Sequence, residues 1–259
     1  MAAPLRELPD LAALLSACGD DALVAYEVGP ELLAPPLALG RAVLFRRETQ
    51  LGFAGAAALG PVDDLAALLM SPWRQVPGWE GERSITVPAA SEPTLRALGV
   101  RGVGLWTTMS LRPGDLRRRP TPDGIRVDFG LDRGQARSFV DEHYSARWLA
   151  PEPAGETWVA LRDEAGEVWA TGLAAMTPAG VTRLSSITVS RDARRRGLGW
   201  ALAQALTDFG LSRSAVVTLG VDDDNPVAMA LYPAMGYRVD HALASGALPP
   251  LPRTPRELH

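Results

Sequence analysis

The strongest periodic pattern in the chain lies in its last third, where apolar residues recur every three or four positions. These residues are Leu198, Leu202, Ala205, Leu206 and Phe209. Such spacing predicts a helix that turns one face to a core. The first turn of this helix must lie near Gly197 and Gly199, directly after a basic segment.

A second helix is predicted a short distance downstream. Asn225 is a suitable N-cap, and Pro226 suits the first helical position. The helical period then continues through Ala228, Leu231, Tyr232 and Met235. Gly236 ends the pattern, as glycine commonly does after a helix. Tyr232 is therefore expected one turn after Ala228 on a nearly apolar face.

Shorter apolar runs bounded by turn residues predict strands before and between these helices. The predicted strands cover residues 125–129, 157–162, 168–176, 181–189 and 214–221. A helical segment is predicted over residues 132–146. The chain thus alternates strands and helices from residue 125 onward.

The segment between the strand that ends at residue 189 and the first helix combines basic side chains with glycine. It contains Arg194, Arg195, Arg196, Gly197, Leu198, Gly199 and Trp200. The first amides of a helix lack intrahelical partners and lie at the positive end of the helix dipole, so they favour negative oxygens. A guanidinium can hold two phosphate oxygens at once. The segment therefore predicts a pyrophosphate-binding turn.

The two regions together resemble the Gcn5-related N-acetyltransferase (GNAT) superfamily over about residues 125–241. The motifs that carry the resemblance are Arg194-x-x-Gly197-x-Gly199 and Asn225-Pro226-x-Ala228-x-x-Leu231-Tyr232-x-x-Met235-Gly236-Tyr237. The resemblance implies an α/β (α+β) fold with a central mixed, mostly antiparallel sheet flanked by helices. It also implies an acyltransferase that uses acetyl-CoA as a cosubstrate. The expected reaction is acetylation of a primary amine of a small molecule or amino acid by direct attack.

The same resemblance implies roles for individual residues. Tyr232 is expected to protonate the departing thiolate as general acid, and a backbone N–H of Ile187 or Thr188 is expected to stabilise the oxyanion. Asn225 is expected to hold the pantetheine arm or the helix start. The expected coenzyme-binding residues are Ile187, Thr188, Val189, Arg194, Arg195, Arg196, Gly197, Leu198, Gly199, Trp200, Asn225, Ala228 and Tyr232. No metal ligand is expected.

The general base stays open at the level of sequence. Many relatives place a glutamate on the strand before the pyrophosphate turn, but residues 183–188 of this chain contain no carboxylate. The candidates are Glu142, His143, the acidic residues 222–224 and His241. A water chain or an already neutral amine is an equal alternative. The ordinary pKa of histidine suits His143 to this role.

The amino-terminal half repeats the order of strand, helix, strand, short helix and glycine. We interpret it as a degenerate second GNAT-like unit, a tandem arrangement that the resemblance links to bacterial relatives, with an independent α/β cap as the alternative. Pro61, Asp63 and Asp64 replace the basic glycine turn, and carboxylates there would repel a pyrophosphate. We therefore expect this half to have a structural or acceptor-site role without coenzyme.

The tryptophans of this half offer a further hypothesis. Trp73, Trp79 and Trp106 are candidates for core or interface packing. They are also candidates for the lining of an apolar acceptor pocket at the domain junction, because ligand sites favour such places.

The predicted domains follow from a segment rich in proline and glycine near the middle of the chain. The degenerate domain is expected at residues 1–116, a linker at 117–124 and the catalytic domain at 125–243. A proline-rich tail is expected at 244–259, with the chain extended or disordered from residue 248. The boundary thus falls where neither a helix nor a central strand is expected.

Composition and charge narrow the function classes. The chain has 259 residues, 47% hydrophobic content and a net charge of −4, which argues against general nucleic-acid binding. No run suggests a membrane span, and the single cysteine, Cys18, indicates a reducing cytoplasm. The expected partner is a small-molecule amine, and the expected assembly is a monomer or homodimer. A non-catalytic acyl-CoA-binding regulatory protein is the alternative to an enzyme.

Overall fold

The structure is a computed structural model of the chain, and it describes residues 4–48, 54–144 and 156–250. The predictions for the end of the helix at 145–146 and for the tail from residue 251 onward lie outside the described residues. The predicted C-terminal strands and helices are present. Strands β8 and β9, bounded in the next paragraph, have the predicted limits.

The described residues contain twelve strands and seven α-helices. The strands are β1 Arg6–Glu7, β2 Leu37–Leu39, β3 Ala42–Glu48, β4 Ala54–Leu59, β5 Ser84–Pro88, β6 Arg101–Leu111, β7 Arg126–Phe129, β8 Thr157–Arg162, β9 Val168–Met176, β10 Thr182–Val189, β11 Val217–Asp222 and β12 Arg238–Ala247. The helices are α1 Leu11–Cys18, α2 Ala22–Glu27, α3 Val62–Met70, α4 Glu92–Ala97, α5 Arg133–His143, α6 Leu198–Leu211 and α7 Pro226–Met235.

Side-chain caps begin several helices where the sequence predicts them. The Asp132 carboxylate accepts a hydrogen bond from the N–H of Gln135 at 3.1 Å and begins α5. The Asn225 side chain accepts one from the N–H of Ala228 at 3.1 Å and begins α7. Each cap gives a partner to one amide that the helix itself leaves free. Asn225 thus holds the start of α7 by direct contact.

All twelve strands belong to one sheet with the order β1-β2-β3-β4-β5-β12-β6-β11-β10-β9-β8-β7. The last strand of the chain, β12, lies between β5 and β6. The last strand of the first half, β6, in turn pairs with β11 of the second half. Each half therefore completes its sheet with a strand from the other half.

The two halves have matching topology around the β12–β6 pair. Each contains one parallel pair, β4 with β5 and β10 with β11, while the other pairs are antiparallel. This arrangement is mixed and mostly antiparallel, as expected. The division of the chain into two domains at residues 117–124 stays a prediction. In the sheet, β6 pairs with β11 and β12 pairs with β5, so each of these strands pairs with a strand from the other side of that division. The strand β12 also runs past residue 243, where the predicted catalytic domain ends, to Ala247.

Helices cover both faces of the sheet. On one face, α6 and α7 pack over alternate residues of the second half, including Val159 and Leu161. On the other, α5 packs over Trp158 and Ala160 of the same strand, because successive side chains of a strand point to opposite faces. We call the α5 side the acceptor face. It also carries α1 and α2, which pack against Phe45 of β3 and neighbouring residues.

The predicted linker is bound along the surface of α6 and α7. The Arg118 guanidinium donates two hydrogen bonds to Asp208, at 2.7 and 2.5 Å. The backbone of Arg119 both donates to and accepts from the Gln204 side chain, at 2.9 and 3.1 Å. The linker is therefore held against the second half. Across the described residues, no helix has the length and apolar content that a membrane crossing requires.

Candidate functional site

Strands β10 and β11 separate beside the start of α6. Their register pairs Thr182 with Val217, Arg183 with Thr218 and Leu184 with Leu219, and pairing ends there. Beyond Leu184, β10 keeps its contacts with β9 on its other side. The backbone groups of β10 that face β11 after this point therefore lie along an opening in the sheet.

A bulge lies on β10 at this opening. The register with β9 skips between Ser185 and Thr188, and Ser186 has a φ of +53°. A bulge redirects local backbone groups away from the ladder. The predicted oxyanion donors, Ile187 and Thr188, thus lie in or next to an irregular segment. No local signal announces this irregularity, because serine has no strong preference for a positive φ.

The backbone turns sharply before α6. Arg195 has a φ of +65° and Gly197 a φ of +80°, and Gly197 occupies the N-cap position without a side-chain cap. Left-handed residues within such a turn gather successive N–H groups around a concave surface that suits anions. Position 197 therefore favours glycine over other residues, because side chains are strained at this φ. At Gly199 an added Cβ would be 3.8 Å from Val189, which is an ordinary contact, so this position does not require glycine.

The basic side chains beside this turn are exposed, as the sequence suggests. Arg194 donates to the backbone carbonyl of His143 at 3.1 Å, and Arg196 lies over the Trp169 ring at 5.6 Å. Leu198 and Trp200 are buried. Within the predicted residues 194–200, the three arginines thus face solvent, whereas Leu198 and Trp200 are buried in the core. These two residues contribute backbone amides near the start of α6.

Two linker residues reach the same turn, and sequence reasoning missed them. The Arg119 guanidinium lies over the Trp200 ring with its Cζ 3.8 Å from the ring centroid. Pro122 is 3.6 Å from the position of a Cβ added at Gly197. The basic cluster at residues 117–119, interpreted as part of a linker, is the signal that could have found Arg119. A fourth arginine therefore stands beside the predicted pyrophosphate turn.

Tyr232 is buried in the core between the sheet and its two C-terminal helices. Its ring packs edge-on against the Tyr237 ring at 5.5 Å. Burial, with a smaller contribution from Tyr144, raises the pKa of Tyr232. The phenol, which an ordinary pKa of about 10 already keeps protonated near neutrality, is therefore a weaker acid here than an exposed tyrosine.

Tyr144 is influenced by acidic residues at and just after the end of β11. It forms the C-cap of α5 on the acceptor face. Burial raises the pKa of Tyr144, and the charges of Asp222 and Asp224 raise it further. Tyr144 is in turn the smaller of the two causes that raise the pKa of Tyr232.

The candidates for the general base lie in different surroundings. The His143 ring packs against Phe139 at 4.4 Å, one turn back on α5, and Glu142 is exposed. Burial and then the neighbouring aspartates raise the pKa of Asp222. His241 is bound to Asp21 at 2.9 Å and joins β12 to the start of α2. His241 is therefore committed to a contact between the halves.

The acceptor face carries a buried charge cluster that sequence reasoning did not find. Glu27 pairs with both Arg47 and Arg183, through separate carboxylate oxygens. Both guanidinium groups also lie over the Trp106 ring, at 5.4 and 5.8 Å. Nothing in the sequence near Glu27 indicates a partner so far along the chain. We call these four residues the junction cluster.

Trp73 and Trp79, by contrast, do not line a pocket. They are buried in the core of the first half, where their rings pack edge to face at 5.5 Å. The hypothesis of an apolar acceptor pocket is therefore wrong for these two residues, because the core of the first half needs their volume. Trp106 alone of the three lies at the junction of the halves, where it packs with the first half's core.

The described residues contain no group of three or more acidic, histidine or cysteine side chains that would hold a metal ion. In the first half, the turn before α3 also differs from the one before α6. Asp64 accepts a hydrogen bond from the N–H of Arg41 at 3.0 Å, and its carboxyl carbon is 2.9 Å from a Cβ added at Gly40. Asp64 thus holds the neighbouring β2–β3 turn.

Comparison with known proteins finds one family model that matches part of the second half. The model of the acetyltransferase (GNAT) family matches residues 125–237. No curated protein sequence gives a significant match. The matched residues include the β10–β11 opening, the turn before α6 and Tyr232.

Solved structures resemble the whole chain in fold. A GCN5-related N-acetyltransferase from Sphaerobacter thermophilus is 21% identical, with a TM-score of 0.58 over 96% of this chain and 97% of that one. One from Kribbella flavida is 19% identical, with a TM-score of 0.55 over 93% and 97%. A tandem GNAT protein from the clavulanic acid biosynthesis pathway is 11% identical, with a TM-score of 0.53 over 96% and 100%. The last likeness is consistent with a tandem arrangement.

Proposed function

We propose that the chain, whose residues 125–237 belong to the GNAT acetyltransferase family, transfers an acetyl group from acetyl-CoA to a primary amine of a small molecule or amino acid. The observation that carries this proposal is the combination of three features in the matched residues. The sheet opens between β10 and β11, a left-handed turn precedes α6, and Tyr232 of α7 is buried in the core that includes both C-terminal helices and the sheet.

The residues before α6 fit a pyrophosphate. Two residues with positive φ gather backbone amides at the positive end of the helix. Arg194, Arg195 and Arg196 are exposed beside these amides, and Arg119 adds a further positive charge. We propose that these groups hold the phosphates of the coenzyme, with residues 197–200 supplying backbone amides.

The opening on β10 fits the rest of the coenzyme. Backbone groups of Ile187, Thr188 and Val189 lie beyond the last pair of the β10–β11 ladder. Strand edges of this kind pair with extended ligands through main-chain hydrogen bonds. We propose that the pantetheine arm lies along this edge. We propose that Ala228, one turn before Tyr232 on α7, contacts the arm.

The proposed chemistry needs a donor for the oxyanion and a donor for the leaving sulfur. An N–H of Ile187 or Thr188 stabilises the oxyanion that develops on the acetyl carbonyl, and one such donor is typically worth about 3 kcal/mol. Tyr232 donates its proton to the sulfur as the C–S bond breaks. The amine nitrogen forms the new C–N bond, and its surplus proton passes to His143, Glu142, one of the aspartates or water, while Tyr232 regains a proton from solvent. An amine that enters neutral needs no base before the attack.

The first experiment is a calorimetric titration with acetyl-CoA, followed by a thiol-release assay with a panel of amines. One binding site is expected, and it should be lost in Gly197→Glu, because a carboxylate in the turn repels the pyrophosphate. Unchanged affinity in that variant would remove the assigned site. Two sites in the wild type would mean that the first half also binds coenzyme, contrary to our interpretation of Asp63 and Asp64.

The role of Tyr232 has a matched test in its neighbour. Tyr232→Phe should lower turnover by on the order of a hundredfold or more, with little change in acetyl-CoA affinity. Tyr237→Phe is the control, because Tyr237 is similarly buried but its hydroxyl is bonded to Thr207 at 2.7 Å. Full turnover in Tyr232→Phe, measured where chemistry limits the rate, would refute the general-acid role.

A non-catalytic acyl-CoA-binding regulatory protein is the second candidate. One observation favours it, since residues 183–188 of β10 contain no carboxylate, whereas many relatives have a glutamate on this strand. Coenzyme binding without thiol release for any amine would support this candidate. Steady thiol release would exclude it. Because the chain has a single cysteine, we propose a reducing cytoplasm as the setting for either function.

A further inference from the structure

The junction cluster contains two buried cations and one buried anion. Glu27, Arg47 and Arg183 are 4%, 5% and 8% exposed, so the cluster holds a net positive charge away from water. Removing an ion from water costs several kcal/mol unless an opposite charge and hydrogen bonds compensate. The single carboxylate of Glu27 already contacts both arginines. The second positive charge has no counter-ion among the described residues of the cluster.

Both arginines also keep unused hydrogen-bond donors. The Nε atoms of Arg47 and Arg183 are buried and have no hydrogen-bond partner among the described residues. Buried polar groups are normally paired, and unpaired ones in native structures call for an explanation. Two unpaired N–H groups and one uncompensated positive charge fit the same missing partner, an anion with oxygen acceptors. A carboxylate meets both needs, because a guanidinium binds it through parallel hydrogen bonds.

The cluster lies at the point where β10 and β11 begin to separate. The Nη2 atom of Arg183 is 2.9 Å from the position of a Cβ added at Gly220, and the Trp106 ring is 3.2 Å from it. Gly220 follows Leu219, the last residue of β11 that pairs with β10. The guanidinium therefore lies across β11 at the narrow end of the opening, on the acceptor face.

Negative charge stands on the same face, farther along β11. Asp222 is the partner of Trp106 in the β11–β6 register, and directly opposed residues of an antiparallel pair point to the same face. Arg183 lies over the ring of the same Trp106. A positive and a negative group thus stand on one face of the sheet, where β10 and β11 separate.

We propose that the acceptor carries a carboxylate beside its amine, as an amino acid does, and that Arg183 and Arg47 bind the carboxylate. Asp222, on the same face, attracts the ammonium end. This inference rests on the proposed acetyl transfer. It assigns the first half a direct part in acceptor recognition, because Arg47 and Glu27 belong to it.

The test compares matched acceptors. The thiol-release assay is run with an amino acid and with its carboxamide, which has the same amine without the negative charge. Rates are expressed as kcat/KM for the neutral amine, so that the different amine pKa values do not bias the comparison. The wild type should prefer the acid by on the order of tenfold or more, the effect of a charge-assisted hydrogen bond. Equal rates would overturn the inference and leave the proposed acetyl transfer standing.

Variants of Arg183 test whether this residue binds the carboxylate of the acceptor. Arg183→Met should reduce the acid-to-amide ratio to about one, mainly through KM, and Arg183→Lys should give an intermediate ratio because it keeps the charge without the planar fork. Arg46→Met is the control, because Arg46 also pairs with a glutamate, Glu82, and lies over a tryptophan ring. An unchanged ratio in Arg183→Met would refute the assignment.

A binding measurement covers two further outcomes, a variant that fails to fold and an absence of turnover. The midpoint of thermal unfolding of the wild-type protein with coenzyme A is measured with an N-acetylated amino acid and with its carboxamide. Only the acid should raise the midpoint. If no amine is acetylated but the acid still raises it, the proposed reaction fails and the anion site stands. An equal shift from both compounds, or none from either, would overturn the anion site.

Discussion

Neutralising Glu27 should destabilise the protein far more than neutralising an ordinary surface glutamate. Glu27 is 4% exposed and is paired with two arginines that are themselves buried. Glu27→Gln keeps the shape of the side chain but leaves both cations without a counter-charge. Removing one partner of a buried ion pair typically costs about 3–5 kcal/mol. We expect a loss in this range in the free energy of unfolding.

The dependence on pH gives this prediction a second readout. Burial alone would raise the pKa of Glu27, but the charges of Arg183 and Arg47 outweigh it and lower the pKa. A carboxylate with a lowered pKa stabilises the fold above its unfolded value, and that contribution is lost as the pH falls through the folded value. The difference between wild type and Glu27→Gln should therefore be constant near neutrality and shrink below about pH 4.3, the ordinary pKa of glutamate.

The assay is urea unfolding followed by tryptophan fluorescence and circular dichroism. Glu92→Gln is the control, because Glu92 forms an i,i+4 pair with an exposed arginine, Arg96, and such a pair contributes about 0.3–0.5 kcal/mol. Overlapping transitions from both probes would show that the halves unfold together. A loss in Glu27→Gln no larger than in Glu92→Gln would refute the reasoning that the junction cluster joins the two halves.

Two other predictions concern the turn before α6 and the last strand. Gly197→Ala should cost about 1–2 kcal/mol of stability, because a side chain is strained at its φ of +80°, and it should also weaken coenzyme binding. Gly199→Ala is the control and should be tolerated. Equal losses of stability in the two variants, measured by denaturant titration, would contradict this prediction. The hydrogen bond that the His241 ring donates to the Asp21 carboxylate raises the pKa of His241, so His241→Phe should lose on the order of 1 kcal/mol of stability below the ordinary histidine pKa of about 6.5. That loss should decline as the pH rises through the folded pKa, and a loss independent of pH in thermal unfolding would contradict it.

Local sequence signals were sufficient for the elements between residues 125 and 236, but not for β12, part of which was assigned to the tail. The period of the apolar residues predicted α6, and Asn225, Pro226 and Gly236 predicted both ends of α7. Helix period, caps and turn residues act over a few positions, so a single sequence carries them directly. The same holds for the turn before α6, whose glycine and arginines are neighbours in the chain. The family assignment of residues 125–237 agrees with these local motifs.

Long-range pairing decided the rest. Nothing in the sequence of β6 or β12 specifies that each completes the sheet of the other half, since an apolar strand can pair with many partners of similar period. The bulge at Ser186 and the contact of Arg119 with Trp200 likewise depend on neighbours distant in sequence.

The junction cluster shows the physical reason most clearly. Glu27 is a single acidic residue at the end of a short helix, and Arg183 is a single basic residue in a strand. Their charges become significant only when tertiary packing removes both from water, because the strength of a charge pair depends on burial as well as on distance. The sequence by itself determined the helices of the second half, the turn before α6 and the resemblance of residues 125–237 to a family. Only the tertiary structure decided how the halves exchange strands and which charges meet between them.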